Sequence, residues 1–155
     1  ASLGRLIRYS IDQKTRFVPL RDELLFVKAY IAIQEKRLEG KVTFDIAIPE
    51  KMLTLFIPKL IIQPLLENAI VHGHQHGEIK GRIGVKGWQD HSFSYLEVRD
   101  QGQGMKQSMS IETGNRVALT NIADRLELLL GEQAMLTIKS EEGIGTSVTI
   151  TLPKT

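Results

Sequence analysis

IPKLIIQPLLENAIVHG, from Ile57 to Gly73, is the stretch whose reading decides the fold. Its apolar residues Leu60, Ile61, Leu65, Ala69 and Ile70 recur with the spacing of a buried helix. On such a helix Asn68 and His72 lie one turn apart on a shared face, with Glu67 about a quarter-turn away. Pro58 suits a first turn, where a missing N–H is harmless. Pro64 falls inside the pattern and predicts a kink or a restart. An Asn in the middle of an apolar helix is costly unless something satisfies its amide. Two readings stand: an internal hydrogen bond, the usual fate of a buried polar group, or a side-chain oxygen turned toward a ligand or a metal.

Upstream of this stretch, Leu20 to Leu38 forms a long amphipathic pattern. Leu20, Leu24, Val27, Ile31 and Leu38 face one way, Arg21, Asp22, Lys28 and Glu35 lie elsewhere, and Gly40 stops the helix. Before it, Leu3, Leu6 and Ile7 share one side of a short helix over Ala1 to Asp12 that reads as the tail of a longer one, and Thr15 to Pro19 is a connector. Val42 to Ile48 alternates like a half-buried strand closed by Pro49. Downstream, the polar, glycine-rich HGHQHGEIKG leads into two strands, Arg82 to Trp88 and Ser92 to Arg99, read as a hairpin. Asp100 to Gly114 is loop. Val117 to Leu130 is a helix with Leu119, Ile122, Leu126 and Leu129 inward and Gly131 as its stop. Two strands end the chain, Ala134 to Ser140 and Thr146 to Leu152, joined by EEGIG. Because helices and strands are grouped rather than alternating, the fold class predicted is α/β, a two-layer sandwich with a mixed sheet of about five strands. The Leu20 and Ile57 helices are expected on one face.

The chain's 155 residues fit one domain, or one domain with a short helical extension. A formal charge of +2 is too small to argue for nucleic acid as a partner. Without cysteine there is no disulfide framework, thiolate metal site or thiol nucleophile, in keeping with a cytosolic setting. No apolar run approaches the roughly 20 residues of a membrane span, and no signal peptide is visible. The opening SLGRLIRYS starts mid-pattern without Met, as an excised piece of a longer protein would. His72, His74 and His76 alternate, but no Cys or clear fourth ligand accompanies them, and structural zinc sites want four. Trp88 and Tyr95 read as sheet packing rather than base-stacking platforms.

The chemistry is carried by two glycine turns in addition to Asn68. Asp100-Gln-Gly102-Gln-Gly104 sits where a strand ends. A carboxylate there can accept a hydrogen bond from an exocyclic amine, and the glycines let backbone approach a ligand closely. Gly143-Ile-Gly145-Thr146 leads into the last strand. Either turn alone is ambiguous; Asn on a helix, then DxGxG, then GxGT before a terminal strand is a far more specific order.

That ordered set resembles the ATP-binding catalytic domain of sensor histidine kinases, in the Bergerat-fold superfamily shared with gyrase, Hsp90 and MutL, and most closely the LytS-type subclass. QPLLENAIVHG matches the N box, DQGQGM the first glycine box, GIGTSVTITLP the final glycine-threonine box, and LTNIADRLELLLG the helix after the nucleotide lid. RLIRYS and FVPLRDELLFVKAYIAIQEKRL match the subclass upstream of the ATP site, so the resemblance covers nearly the whole chain. It implies residues 1–16 as the end of a dimerisation and phosphoacceptor region with its connector, and residues 17–155 as the ATP-binding domain.

The resemblance also implies roles. Asn68 would bind Mg²⁺ through its amide oxygen, one Asn sufficing because magnesium takes most ligands from phosphates and water. Asn68 and the adjacent Glu67 are the catalytic candidates. Asp100 would read the adenine amino group, Gly102 and Gly104 would shape the pocket, Gly145 and Thr146 would lie against the adenine, and His72 near the phosphates. Met105 to Val117 would be a mobile lid. Two departures fall on the phosphate side. The residue before His72 is Val71 where the family usually has a basic one, and the lid-end GxGL reads Arg116-Val117-Ala118-Leu119. Backbone N–H groups at a helix start can still meet phosphate there, and Arg116 supplies a positive charge. In hydrolysing relatives a Glu one turn before the Asn activates water; here that position is Pro64.

The implied function is transfer of the ATP γ-phosphoryl group to a histidine outside this chain, since none of the four histidines matches the acceptor motif. The implied partners are the histidine-bearing dimerisation helices of the same parent, a homodimer in full, and a downstream response regulator. The setting would be a cytoplasmic domain of a membrane-anchored sensor. Two rivals are a nucleotide-binding module without transfer activity, prompted by Val71 and Ala118, and an ATP-hydrolysing clamp of the same superfamily.

Overall fold

The computed structural model describes residues 4, 16–74, 81–101, 114–141 and 144–154, with no side chains described at 72–74 and 114–118. In chain order the elements are β1 (Phe17–Pro19), α1 (Leu20–Arg37), β2 (Val42–Ala47), a short 3₁₀ turn (Glu50–Met52), β3 (Phe56–Pro58), α2 (Ile62–His74), β4 (Gly81–Gln89), β5 (Phe93–Asp100), α3 (Gly114–Leu130), β6 (Met135–Glu141) and β7 (Gly145–Pro153). The expected helix over Ala1 to Asp12, the histidine-rich loop beyond His74 and the stretch from Gly102 to Thr113 lie outside the described residues.

Five strands form the main sheet in the order β2-β4-β5-β7-β6. β2 runs parallel to β4, and the other three pairings are antiparallel, so the sheet is mixed as the sequence predicts. Alternation gives it two faces. Ile83 and Val85 of β4, Leu96 and Val98 of β5, and Val148, Ile150 and Leu152 of β7 point inward and are buried. Gly87 belongs to this inner face, and the absence of a side chain there makes room for Ile48 and Met52, since a Cβ would meet Ile48 Cδ1 at 2.9 Å. On the outer face Trp88 and Tyr95, directly opposite in register, stack with ring centroids 5.1 Å apart, the sheet-packing role read from the sequence.

The three helices of the described residues join the core against the inner face: α1 packs on β2, α2 on β5 and α3 on β6, with α2 touching both other helices. The predicted stripe of α1, Leu20, Leu24, Val27 and Ile31, is buried, together with Leu38 just past its end. Ile61, Ile62, Leu65 and Leu66 at the start of α2 are essentially inaccessible to solvent, each worth about 1.5–3 kcal/mol relative to exposure. On α3, Leu119, Ile122 and Leu126 are buried while Leu129 is half-exposed.

Three expectations need correction. The Ile57 stretch is not one helix: Ile57 and Pro58 belong to β3, Leu60 turns with a positive φ of 59°, and α2 begins only at Ile62. Pro58 therefore sits in a strand. Pro64 is the third residue of α2, inside the first turn, where N–H groups have no intrahelical partner and the proline costs no hydrogen bond. Thr15 to Pro19 is more than a connector, because Phe17–Pro19 pairs antiparallel with Phe56–Pro58. Three-residue strands flanked by proline leave no periodicity to read. Asp100, expected to open a loop, is the last residue of β5.

Candidate functional site

α2 carries Asn68 into the core. It is 4% exposed, flanked by buried Leu65, Ala69 and Ile70, as its spacing demands. Its Oδ1 is the single buried side-chain oxygen or nitrogen without a hydrogen-bond partner among the described residues. An unpaired buried acceptor of this kind costs about 1–3 kcal/mol, so the internal hydrogen bond through Oδ1, one of the two readings of this Asn, is not made.

Glu67 faces elsewhere. It is exposed, and Oε1 accepts a 2.8 Å hydrogen bond from Nε2 of Gln63 one turn earlier. Its charge is felt by Tyr30 on α1, whose phenol is pushed up to about 12, first by burial and then by Glu67, with Arg37 pulling the other way. Val71, four residues beyond Glu67, is 44% exposed. Gln63, Glu67 and Val71 thus form an outward ridge on α2, while Asn68 is directed inside.

The second half of the site is the seam between β5 and β7. Asp100 is 6% exposed and stands opposite Thr146 in the ladder. Its Oδ1 accepts the Thr146 N–H at 3.3 Å, and the Thr146 hydroxyl lies 3.0 Å from the Ser140 hydroxyl on β6. Gly145 makes this geometry possible. Its φ is 141°, and a Cβ there would come within 2.1 Å of the Asp100 carbonyl oxygen. Only glycine lets β7 start this close to the end of β5. The structure therefore joins Asp100, Gly145 and Thr146 at one point on the inner side of the sheet, at the end of the strand on which α2 packs.

Of the remaining candidates, Leu119 is buried on α3. His72 lies on α2, one turn beyond Asn68, and Arg116 and Ala118 lie in the first turns of α3, with their side chains outside the described residues. Gly102 and Gly104 are likewise outside them. Among the described residues no group of three His, Cys, Asp or Glu side chains could hold a metal, and a trough of about 490 Å³ lined by Gly84, Lys86, Trp88, Glu97 and Arg99 opens on the opposite, outer face of the sheet. Sequence reasoning missed Ser140, Glu23 and Arg125. Glu23 is fully buried, and its signal was a charge on the Leu20-Leu24-Val27 stripe. Arg125 gave the same signal, one turn from Ile122 on the inner side of α3.

Residues 56–155 match the family described as histidine kinase-, DNA gyrase B- and HSP90-like ATPase, and residues 1–42 match a histidine kinase family. The chain is similar to sensor histidine kinase YesM of Bacillus subtilis (strain 168), 35% identical over 153 residues that cover 98% of this chain and 26% of YesM. It is similar to sensor protein LytS of Bacillus anthracis, 31% identical over 146 residues, 88% of this chain and 25% of LytS. Sensor histidine kinase YpdA of Escherichia coli (strain K12) is 36% identical over 138 residues, 84% of this chain and 24% of YpdA. The chain spans about a quarter of the length of these curated relatives. Among solved structures, the catalytic domain of histidine kinase ThkA has a TM-score of 0.65 at 16% identity, covering 90% of this chain and 99% of that one. Histidine kinase AdeS of Acinetobacter baumannii has a TM-score of 0.63 at 14% identity, covering 98% of this chain and 75% of that one; both show a shared fold. With the family match spanning well over half of its length, and with the mixed sheet and helix layer of histidine kinase catalytic domains, this chain belongs to the histidine kinase-, DNA gyrase B- and HSP90-like ATPase family.

Proposed function

We propose that this chain is the ATP-binding catalytic domain of a sensor histidine kinase and that it presents Mg-ATP to a histidine carried on the dimerisation helices of its parent. The observation that carries the reading is the buried, unpartnered Oδ1 of Asn68. A hard, neutral oxygen held inside the fold with its lone pairs unused suits a magnesium ion that keeps water and phosphate as its other ligands. When bound, the ion would neutralise charge on the phosphates. Asp100, with one oxygen fixed by the Thr146 N–H, has its carboxylate oriented to accept from the adenine amine, and Gly145 and Thr146 form the wall beside it. His72, Arg116, Ala118 and Leu119 fall on the phosphate side, the last three in the first turns of α3. That helix begins at Gly114 rather than at Val117, so the N–H groups open to an anion are those of its first four residues, Arg116 among them, and not those of Ala118 and Leu119. Gly102 and Gly104 follow the adenine carboxylate. Glu67, exposed beside Asn68, is the carboxylate that an incoming imidazole meets outside the pocket.

In this reading the parent is a homodimer that passes the phosphoryl group on to a response regulator, and the domain works on the cytoplasmic side, where ATP and the regulator are. Among the described residues no helix is long and apolar enough to cross a membrane.

Titration with ATP and GTP tests the reading. GTP carries a carbonyl where adenine has its amine, so it should bind far more weakly than ATP. Asp100→Asn keeps an acceptor for the Thr146 N–H but loses the charge, and should lower ATP affinity about 10–100-fold, the worth of a hydrogen bond to a charged group. Equal affinity for the two nucleotides would count against the assignment.

A further inference from the structure

The turn that launches the Asn68 helix is held by its backbone from three sides. Lys59 N–H donates to the Arg16 carbonyl at 2.9 Å. The carbonyls of Lys59 and Leu60 both accept from the Arg125 guanidinium of α3. Ile61 N–H donates to Oε2 of the fully buried Glu23 of α1 at 3.0 Å. Glu23 thus brings a carboxylate to the start of a helix with no acidic residue in its own first turn, where a negative group is favoured by the helix dipole. Leu60 takes a left-handed backbone, φ 59°, without being glycine. Such a residue costs about 1–2 kcal/mol and persists only where its surroundings impose it.

The same junction receives the start of α1. Pro19 offers no side-chain cap, and the first N–H groups of α1 instead donate to the chain just before β3, Leu20 to the Leu55 carbonyl at 2.7 Å and Arg21 to Leu53 at 3.0 Å. β1 pairs along β3 immediately ahead of the turn. Every bond named here is to backbone, so it fixes where α2 begins and not merely what surrounds it. Asn68 lies six residues past Ile62, about 9 Å along the same helix, so a shift of the helix start moves its oxygen.

We propose that Glu23 and Arg125 are positioning residues for Asn68: by clamping the Lys59-Leu60-Ile61 backbone from α1 and α3, they set the depth of the Asn68 oxygen and link it to the segment through which the chain enters the domain. The proposal rests on the reading of Asn68 as a ligand of the nucleotide's magnesium. Arg125→Lys keeps the cation but cannot fork onto two carbonyls. Glu23→Ala removes the acceptor, and Glu23→Gln restores one for the Ile61 N–H.

The measurement is ATP affinity with Mg²⁺ and again in EDTA, beside the melting temperature of each variant. Arg125→Lys and Glu23→Ala should lose about tenfold in Mg-ATP affinity, the low end of the cost of outer-shell partners, with a much smaller change in EDTA. Glu23→Gln should recover most of that loss. A fall of equal size with and without Mg²⁺, following the melting temperature, would mean that the clamp is only structural and would overturn the proposal, as would no change in Arg125→Lys. If the wild-type chain binds ATP equally with and without Mg²⁺, the reading of Asn68 fails first and this inference falls with it.

Discussion

Asn68 shows how a single polar residue reports on its surroundings. A buried amide with an unused oxygen is a stability cost that the fold carries. Asn68→Ala should therefore leave the melting temperature close to that of the wild type while abolishing the gain in ATP affinity that Mg²⁺ brings. Unfolding of that variant would show that the amide nitrogen holds the helix and that the oxygen is incidental. Tyr30 is the other residue with a measurable signature. Its phenol is pushed up to about 12 by burial and by Glu67, so the folded state holds this proton more tightly than the unfolded chain, which releases it near 10. The stability this confers is fully present below pH 10 and is lost as pH rises toward 12, up to about 2–3 kcal/mol. Tyr30→Phe should flatten that part of the pH dependence of unfolding, and Glu67→Gln should bring the phenol's titration down. Asn68 could be read from sequence because it interrupts an apolar helix. Tyr30 could not, since an aromatic residue on an amphipathic helix is ordinary.

At the scale of elements, the sequence was legible where periodicity is long and opaque where elements are short. The α1 stripe, the hairpin of β4 and β5 and the glycine stop of α3 all follow from spacing. β1 and β3 have three residues each, too few to show alternation, and two prolines disguise them. The beginning of α2 is disguised for the same reason: Ile57 and Ile61 are apolar because β3 and the turn bury them, with half-exposed Leu60 between them, not because they continue a helix. The glycine turns were legible as a motif, but their mechanical meaning was not. Gly145 is required because the Asp100 carbonyl occupies the space of a Cβ. Gly145→Ala should push β7 off the end of β5, destabilise the fold by about 2 kcal/mol or more through strain and overpacking, and weaken ATP binding beyond its effect on stability, because Asp100 loses its bond from Thr146. Denaturant unfolding alongside nucleotide titration checks this. An alanine variant with wild-type nucleotide affinity would detach Gly145 from the site.

For the whole molecule, the separation of Glu67 from Asn68 decides what happens to bound ATP. The hydrolysing relatives implied by the resemblance keep a Glu one turn before the Asn, and here that position is Pro64, in the first turn of α2. Proline offers no base. Glu67 is the next carboxylate on the helix, yet it is exposed, held by Gln63 and set beside Tyr30, whereas Asn68 is buried. Neighbouring residues on a helix point about 100° apart, so an exposed carboxylate beside a buried amide is what this spacing produces. General-base assistance is typically worth about 10²–10⁴-fold, and without it water should attack the γ-phosphate slowly. Such a site spares ATP until a nucleophile arrives on another helix, as the proposed histidine transfer requires. The chain should therefore bind Mg-ATP and release phosphate at close to the rate of nucleotide alone, while a parent protein carrying the acceptor histidine becomes phosphorylated. Steady turnover by this chain, lost in Glu67→Gln, would show that Glu67 reaches the pocket after all and would favour the ATP-hydrolysing clamp.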